Sequence, residues 1–297
     1  MIISVIQTRP SYDYDPNHPG DWDLARINRA AQPGFEEGFA MAEQAARDGS
    51  QLIVMIEAFN TTVMPNDMRY EYAQVYESLD GVMVQRSSQI TKRYATYIVV
   101  GLYNSRSGKV YNSAVLLGTD GQIVGVYDKV HLPAGEDRGI TPGSSYPVFS
   151  TEYGNIGMLI CWDMQFPEAP RELALAGADL IACPTWGWEN RYGLCRAYEN
   201  GVTVAAAMGL SRHGLNKDES PSCIVDNMGR IVASAPPTKP AIVSVEIDIR
   251  QEPAPQYGAD RWTGLHSMRQ IRMLQRRPET YRLVTKDDPP LMERFNK

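Results

Sequence analysis

Short, nearly continuous apolar runs recur along the chain and constrain its fold more than any other feature. They are Leu52–Ile56, Ile98–Leu102, Ile156–Ile160 and Val202–Ala207. Runs of this length, rich in branched apolar residues, are typical of strands that are buried on both faces. These runs therefore predict at least one sheet whose two faces are both covered by other parts of the chain.

Helical and hairpin patterns lie between these runs. Phe35, Phe39, Ala42 and Ala46 fall at helical spacing, and Gly49 follows as a helix end. A hairpin is predicted between 111–117 and 122–127, because Asp-Gly at 120–121 is a strong turn signal. Helices that alternate with strands and hairpins predict an α/β fold, with layers around a mixed sheet.

Two segments stand apart from this alternation. The stretch from Arg9 to Pro33 is rich in Pro, Asp, Tyr and Asn and predicts a long surface loop with at most a short helix. Because no linker divides the rest, we predict one domain over residues 1–275. Residues 276–297 are predicted to be a C-terminal tail that packs on this domain or on a partner subunit.

Charge and hydropathy exclude several classes of partner. The net charge of −6 argues against nucleic acid and against an anionic membrane surface as main partners. No apolar stretch approaches the roughly 20 residues that span a bilayer. The N-terminus also lacks the basic start and apolar core of a signal peptide, so we expect a cytoplasmic protein.

The cysteines and histidines give no metal-binding pattern. The four cysteines contain no CxxC pair, and the four histidines are scattered. A zinc site and any other metal site are therefore not expected, and free thiols are predicted.

Three reactive side chains occupy equivalent positions at strand ends. Glu57 and Cys161 directly follow apolar runs, and Lys129 follows the second arm of the predicted hairpin. Ligands of α/β sheets bind outside the carboxyl ends of strands, so these side chains can converge there.

A thiol at a tight strand-to-helix junction is suited to nucleophilic attack. Helix N–H groups near Cys161 would lower its pKa and stabilise an oxyanion, although a lone cysteine is more often a core thiol. Its base is His131 or a buried Glu57, and Lys129 is either an oxyanion-stabilising cation or a solvated charge.

Several motifs resemble the carbon–nitrogen hydrolase (nitrilase) superfamily. They begin with Glu57, YDKVHLPAGE from Tyr127 to Glu136, and CWDMQFPE from Cys161 to Glu168. Later motifs are CPTWGW, CRAYENG and CIVDNMGRIVA, which start at Cys183, Cys195 and Cys223. Each motif alone is weak, but their order and spacing over most of the chain are highly specific.

The resemblance implies a four-layer α-β-β-α sandwich with two mixed sheets, which forms a homodimer or a higher homo-oligomer. It implies a triad of Glu57, Lys129 and Cys161, and a second glutamate, Glu136, that positions substrate and Lys129. The backbone N–H of Trp162 would serve the oxyanion. Neither a metal nor an organic cofactor is implied.

Some positions depart from the family's usual pattern and bear on the substrate. Ile56 replaces a usual proline, Gln165 stands where arginine is common, and Cys183 stands where asparagine is common. Candidate substrate-binding residues are Trp162, Trp186, Tyr192 and Gln165, although each aromatic side chain suits core packing equally well. Arg191 or Arg196 is a candidate for binding a substrate carboxylate.

The predicted function is cysteine-dependent hydrolysis of a small amide through a thioester, with release of ammonia or an amine. N-carbamoyl compounds and nitriles are the alternative substrates, in that order, since the CWD and FPE motifs resemble amidases and N-carbamoyl amidohydrolases. Rivals from other classes are a papain-like hydrolase that uses Cys161 with His131, and a catalytically inactive scaffolding homologue.

Overall fold

The structure, a computed structural model, describes residues 1–9, 24–60, 76–210, 215–287 and 289–294. The chain divides into two units, Met1–Gln251 and Glu252–Lys297. Each unit is described by itself, and the boundary that the sequence places after residue 275 stays a prediction.

Strands and helices alternate along the first unit. In the described residues the order is β1 (Ile2–Gln7), α1 (Leu24–Arg47), β2 (Leu52–Val54), α2 (Val82–Tyr94), β3 (Tyr97–Arg106), β4 (Lys109–Leu117), β5 (Ile123–Asp128), β6 (Val148–Thr151), β7 (Gly154–Met158), α3 (Glu168–Leu175), β8 (Leu180–Thr185), α4 (Asn190–Asn200), β9 (Thr203–Met208), β10 (Cys223–Val225), β11 (Ile231–Ser234) and β12 (Ala241–Glu246).

The described strands form two mixed sheets with matching layouts. The first sheet has the order β12-β1-β2-β3-β4-β5 and the second β11-β10-β9-β8-β7-β6. In the first sheet β1, β2 and β3 are parallel, and in the second β7, β8 and β9 are parallel. Antiparallel strands flank each parallel centre.

Helices cover the outer face of each sheet. Helices α1 and α2 contact strands of the first sheet, and α4 contacts the second. Leu173 on α3 packs against Gly157 of β7. The two sheets face each other through β1, β2, β8 and β9. The predicted four-layer α-β-β-α sandwich with two mixed sheets is therefore confirmed.

The apolar runs form the buried centre of this sandwich, as predicted. All residues of β2, β8 and β9 are buried. At one end the two sheets join directly, because the N–H of Leu210 donates a hydrogen bond to the carbonyl oxygen of Thr8 at 2.8 Å. The carboxyl ends of the parallel strands in both sheets thus lie side by side.

The predicted loop from Arg9 to Pro33 is corrected in part. Residues 10–23 lie outside the described residues, but α1 already begins at Leu24 and contains Pro33. The helical face of Ala31, Phe35 and Phe39 is buried, and both phenylalanine rings pack edge-on against Phe59. Burial of this face outweighs the unfavourable interior proline.

In the second unit, the described residues form two short helices, α5 (Ala259–Thr263) and α6 (Met268–Leu274). The Ser267 hydroxyl caps α6 by accepting a hydrogen bond from the N–H of Gln270 at 3.0 Å. Two 3₁₀ turns follow, at Pro278–Thr280 and Pro290–Arg294.

Across the described residues, the helices are too short or too polar to cross a bilayer.

Candidate active site

Glu57 follows β2 and is held against β3 by backbone contacts. The N–H of Met55 donates to Val99 O, and that of Phe59 to Gly101 O, each at 2.8 Å. Gly101 makes this approach possible. A Cβ atom there would lie 2.6 Å from Ile56 O and 2.7 Å from the Cα of Glu57. The carboxylate that results is buried.

Lys129 follows β5 and lies between two carboxylates. Its N–H donates to Asn112 O at 2.8 Å, which continues the pairing of β4 with β5. Its Nζ donates to Glu57 Oε1 and to Glu136 Oε2, each at 2.8 Å. Burial alone would lower the pKa of Lys129, but the negative charges around it raise this pKa above its ordinary value. Lys129 is therefore an ammonium in the resting protein.

Glu136 opens a 3₁₀ turn, Glu136–Arg138, after β5. Its Oε1 accepts hydrogen bonds from Asn112 Nδ2 at 2.7 Å and from the Tyr103 hydroxyl at 3.1 Å. Burial raises the pKa of Glu136, the Lys129 ammonium opposes the shift, and the nearby Glu57 charge adds to it. Two carboxylates and one ammonium thus share a buried site.

Cys161 lies three residues beyond the end of β7, in the 3₁₀ turn Cys161–Gln165. Its φ is +46°, a left-handed conformation that non-glycine residues rarely adopt. The turn is locked by Asp163, whose N–H donates to Ile160 O and whose Oδ2 accepts from the N–H of Ile160, both at 3.0 Å. The predicted helix follows as α3, one residue after Pro167.

The sulfur of Cys161 lies among groups that keep it protonated. Burial, and then the negative charge of Glu57, raise the pKa of Cys161 to about 12. The Lys129 ammonium, the N–H of Trp186 and the side chain of Thr185 oppose this shift. A thiol of this kind reacts only if a base takes its proton. The charge of Glu57 acts on this thiol, and the role of Glu57 as its base stays a prediction.

Trp186 joins Glu57 to the second sheet. Its backbone N–H donates to Glu57 Oε2 at 3.0 Å, and its indole Nε1 donates to Glu57 O at 2.8 Å. The next residue, Gly187, borders the sulfur, because a Cβ added there would lie 3.7 Å from Cys161 Sγ. Trp186 thus orients the carboxylate, and its predicted contact with substrate stays a prediction.

Two other candidate substrate-binding residues lie on the nucleophile turn. Trp162 follows Cys161 and is 42% exposed, and the side chain of Gln165 is exposed as well. Arg196 on α4 donates to the carbonyl oxygens of Met164 and Gln165, each at 3.2 Å. Arg196 therefore braces the turn, whereas Arg191 is exposed and pairs with Glu189.

Tyr192 supports the segment beside the sulfur. Its hydroxyl donates to Gly187 O, and its ring packs edge-on against Trp188 with centroids 5.2 Å apart. Trp188 is fully buried, and its Nε1 donates to Asn190 Oδ1 at 2.9 Å. Both aromatic residues therefore pack in the core, and a role of Tyr192 in substrate binding stays a prediction.

His131, the rival base, is engaged elsewhere. Its backbone N–H and its Nδ1 lie 2.9 and 3.0 Å from Asp163 Oδ1. Its ring stacks on Phe166, with centroids 3.8 Å apart. Asp163 Oδ2 also accepts from the Tyr127 hydroxyl at 2.7 Å. The arrangement favours a structural role for His131, which ties the Lys129 segment to the nucleophile turn.

Four polar residues of the site were missed by the sequence reasoning: Tyr103, Asn112, Asp163 and Thr185. Asn112 and Asp163 had a usable signal. Asn112 sits within a strand that is otherwise mostly apolar, and Asp163 lies two residues from the candidate nucleophile. A buried polar side chain in such a place must have a partner, which only the fold identifies.

The described residues contain no group of three or more His, Cys, Asp or Glu side chains arranged to hold a metal ion. The predicted absence of a metal and of a cofactor stays a prediction.

Known proteins resemble this chain over most of its length. The family model of carbon–nitrogen hydrolases matches residues 18–253. The chain is 30% identical to the omega-amidase of Homo sapiens over 235 residues, which cover 70% of this chain and 80% of that protein. It is 32% identical to a nitrilase of Pyrococcus abyssi over 221 residues, which cover 72% of this chain and 83% of that protein.

Solved structures share the fold. A double mutant of the amidase from Nesterenkonia sp. AN1, in complex with acrylamide, superposes with a TM-score of 0.69 at 23% identity. The superposition covers 95% of this chain and 96% of that one.

Proposed function

Because this chain belongs to the carbon–nitrogen hydrolase family, we propose that it hydrolyses the C–N bond of a small linear amide with Cys161 as nucleophile. The products are a carboxylic acid and ammonia or an amine. The observation that carries this proposal is the buried Lys129 ammonium, 2.8 Å from both Glu57 and Glu136, beside a thiol that needs a base. The omega-amidase relative and the acrylamide complex support an amide as substrate.

In the first half of the reaction, Glu57 takes the thiol proton as Sγ attacks the carbonyl carbon. Lys129 Nζ and the backbone N–H of Trp162 stabilise the oxyanion. The C–N bond then breaks, and Glu57 returns the proton to the leaving nitrogen. A thioester on Cys161 remains.

In the second half, Glu57 takes a proton from a water molecule, whose oxygen attacks the thioester carbon. The second tetrahedral intermediate collapses and breaks the C–S bond. The departing sulfur regains its proton from Glu57. Glu136 stays bound to Lys129 throughout and holds the ammonium towards the oxyanion.

A hydrolysis panel tests this function. Short aliphatic amides, aryl amides, N-carbamoyl amino acids and nitriles are incubated with the wild type, and ammonia release is measured. We expect the amides to be turned over fastest, with an acyl adduct on Cys161 in intact mass spectra. Faster turnover of nitriles or of N-carbamoyl compounds would overturn the ranking. No turnover and no adduct with any of them would favour the inactive homologue.

Two further properties belong to this proposal. We expect a homodimer or a larger homo-oligomer, which light scattering on the purified chain measures. We also expect a cytoplasmic location, which cell fractionation measures.

A further inference from the structure

Asn112 contacts Glu57, Lys129 and Glu136, the three charged residues of the buried cluster, although no motif pointed to it. It lies on β4 opposite Lys129, whose N–H donates to Asn112 O at 2.8 Å. Its side-chain Nδ2 donates to Glu57 Oε1 at 2.8 Å and to Glu136 Oε1 at 2.7 Å. One amide nitrogen therefore bridges the two carboxylates.

The orientation of this amide leaves its own oxygen without a partner. Asn112 is fully buried, and its Oδ1 accepts no hydrogen bond within the described part of the chain. With the amide turned this way, its nitrogen faces both carboxylates, and each of these buried groups requires a donor.

We propose that Asn112 is a positioning residue that holds Glu57 and Glu136 in line with Lys129 for proton transfer. This inference rests on the proposed function. An N–H donor favours the charged form of a carboxylate, and repulsion between two carboxylates in a dry site drives a proton onto one of them. The other titratable groups that face the pair are Lys129, Cys161, Cys183 and Tyr103.

The direction of the effect follows from these contacts. Burial raises the pKa of Glu136, and the amide of Asn112 is among the groups that oppose this shift. Removing the amide therefore raises the pKa of Glu136 further. A protonated Glu136 no longer holds the Lys129 ammonium by charge, so the acid limb of the kcat/KM profile moves to higher pH.

Asn112→Leu tests this, with Asn104→Leu as a matched control. Asn104 lies on the adjacent β3 and is equally buried, and its Oδ1 also has no partner in the described residues, but its Nδ2 donates to Ser113 Oγ at 2.6 Å. We expect the acid limb to move up by about one pH unit in Asn112→Leu, because a hydrogen bond to a charged group is lost. The control should leave the limb in place. An unmoved limb, or equal shifts in both variants, would overturn the inference.

Asn112→Ser provides a second variant if the leucine variant does not fold. Its shorter hydroxyl can serve at most one carboxylate, so we expect a smaller shift in the same direction, and no shift would again overturn the role.

Alkylation of Cys161 by iodoacetamide supplies a readout that needs no amide turnover. Its rate as a function of pH is followed by peptide mass mapping, with the exposed Cys195 as an internal reference. We expect its acid limb to move as the kcat/KM limb does. A moved alkylation limb in a protein that hydrolyses no amide would refute the substrate class and keep the role of Asn112. An unmoved limb would refute the role itself.

Discussion

The Lys129 side chain is 2% exposed, and its ammonium lies between two buried carboxylates. Burying such a group costs several kcal/mol unless its partners are well placed, so this cluster is weak as a source of stability. Its arrangement is explained better by chemistry, because a fixed cation beside a reactive thiol stabilises negative charge that develops during attack. Substitutions in this cluster are therefore expected to change activity more than stability.

Replacing the sulfur is expected to abolish turnover and leave the fold intact. Cys161→Ala should reduce kcat by about 10⁴-fold or more, because no other group can form the thioester. Ammonia release measures the rate, and thermal unfolding checks the fold. Cys195→Ala, which removes an exposed thiol from α4, should retain wild-type activity. Residual turnover above about a tenth of wild type in Cys161→Ala would show that the nucleophile is misassigned.

Removing the charge of Glu57 is expected to lower the pKa of the Cys161 thiol while turnover is lost. Burial is the first cause of the raised thiol pKa and the negative charge of Glu57 the second, and Glu57→Gln removes only the second. Thiolate absorbance in the ultraviolet, corrected with Cys161→Ala, follows the titration. A thiol that titrated at the same or higher pH than in the wild type would contradict the assigned contact.

At the scale of elements, apolar runs predicted where strands lie but not where they end. The run at 98–102 continues to Arg106, because Asn104 pairs with Tyr111 of β4 and its amide binds Ser113. Conversely, the strand at the run 52–56 ends early, as β2 stops at Val54 and the chain turns at Glu57, whose carboxylate is buried. An apolar run in the sequence indicates which residues are buried, whereas the end of a strand depends on contacts with residues distant in sequence.

The candidate triad could be predicted because its members sit at strand ends and match known motifs. For Asn112 the sequence could indicate a buried polar residue but not its partners, which lie 55 and 24 positions away in sequence. The partners of Asp163, Tyr127 and His131, are likewise more than 30 residues away in sequence and are identified only by the fold.

Gly101 is required where β3 passes Glu57. Gly101→Ala would place a Cβ atom 2.6 Å from Ile56 O and force the Glu57 backbone away. A displacement approaching 1 Å costs about 10²-fold in kcat/KM. Gly108→Asn is the control, since it lies in open space between β3 and β4, and asparagine tolerates its φ of +76°. Equal kinetics in the two variants would contradict this role.

Asp163 joins the Lys129 segment to the nucleophile turn, so its loss should destabilise the protein. In Asp163→Asn an amide NH₂ group replaces one of the two accepting oxygens. This group would face either the N–H of His131 or the hydroxyl of Tyr127, both of which donate to Asp163 in the wild type. We expect the free energy of unfolding to fall by about 3 kcal/mol in urea titrations. Asp120→Asn, in an exposed turn, should change it by less than about 0.5 kcal/mol. Similar losses of unfolding free energy in the two variants would contradict the role of Asp163 in joining these two segments.

At the scale of the whole molecule, the second unit exposes apolar side chains that a monomer would leave in water. Tyr257 is 93% exposed and Trp262 is 86% exposed. Large exposed apolar side chains are candidates for contacts with a partner, so we assign these two to the interface of the proposed homo-oligomer.

Tyr257→Ser combined with Trp262→Ser is therefore expected to shift the protein towards monomer. Sedimentation velocity measures the shift at a fixed protein concentration. Val82→Ser removes an apolar side chain, 59% exposed, from α2 and should leave assembly unchanged. A wild-type protein that sediments as a monomer would refute the expected oligomer outright.

The proposed acid and ammonium come from one sheet, and the sulfur comes from the other. The site thus lies between the two sheets. A shift of one sheet relative to the other by about an ångström would move the sulfur away from the acid and the ammonium. Substitutions in the apolar core between the two sheets can therefore change turnover, although the substituted side chains do not contact the substrate. The turnover rate of this protein therefore depends on how accurately the two sheets are positioned against each other.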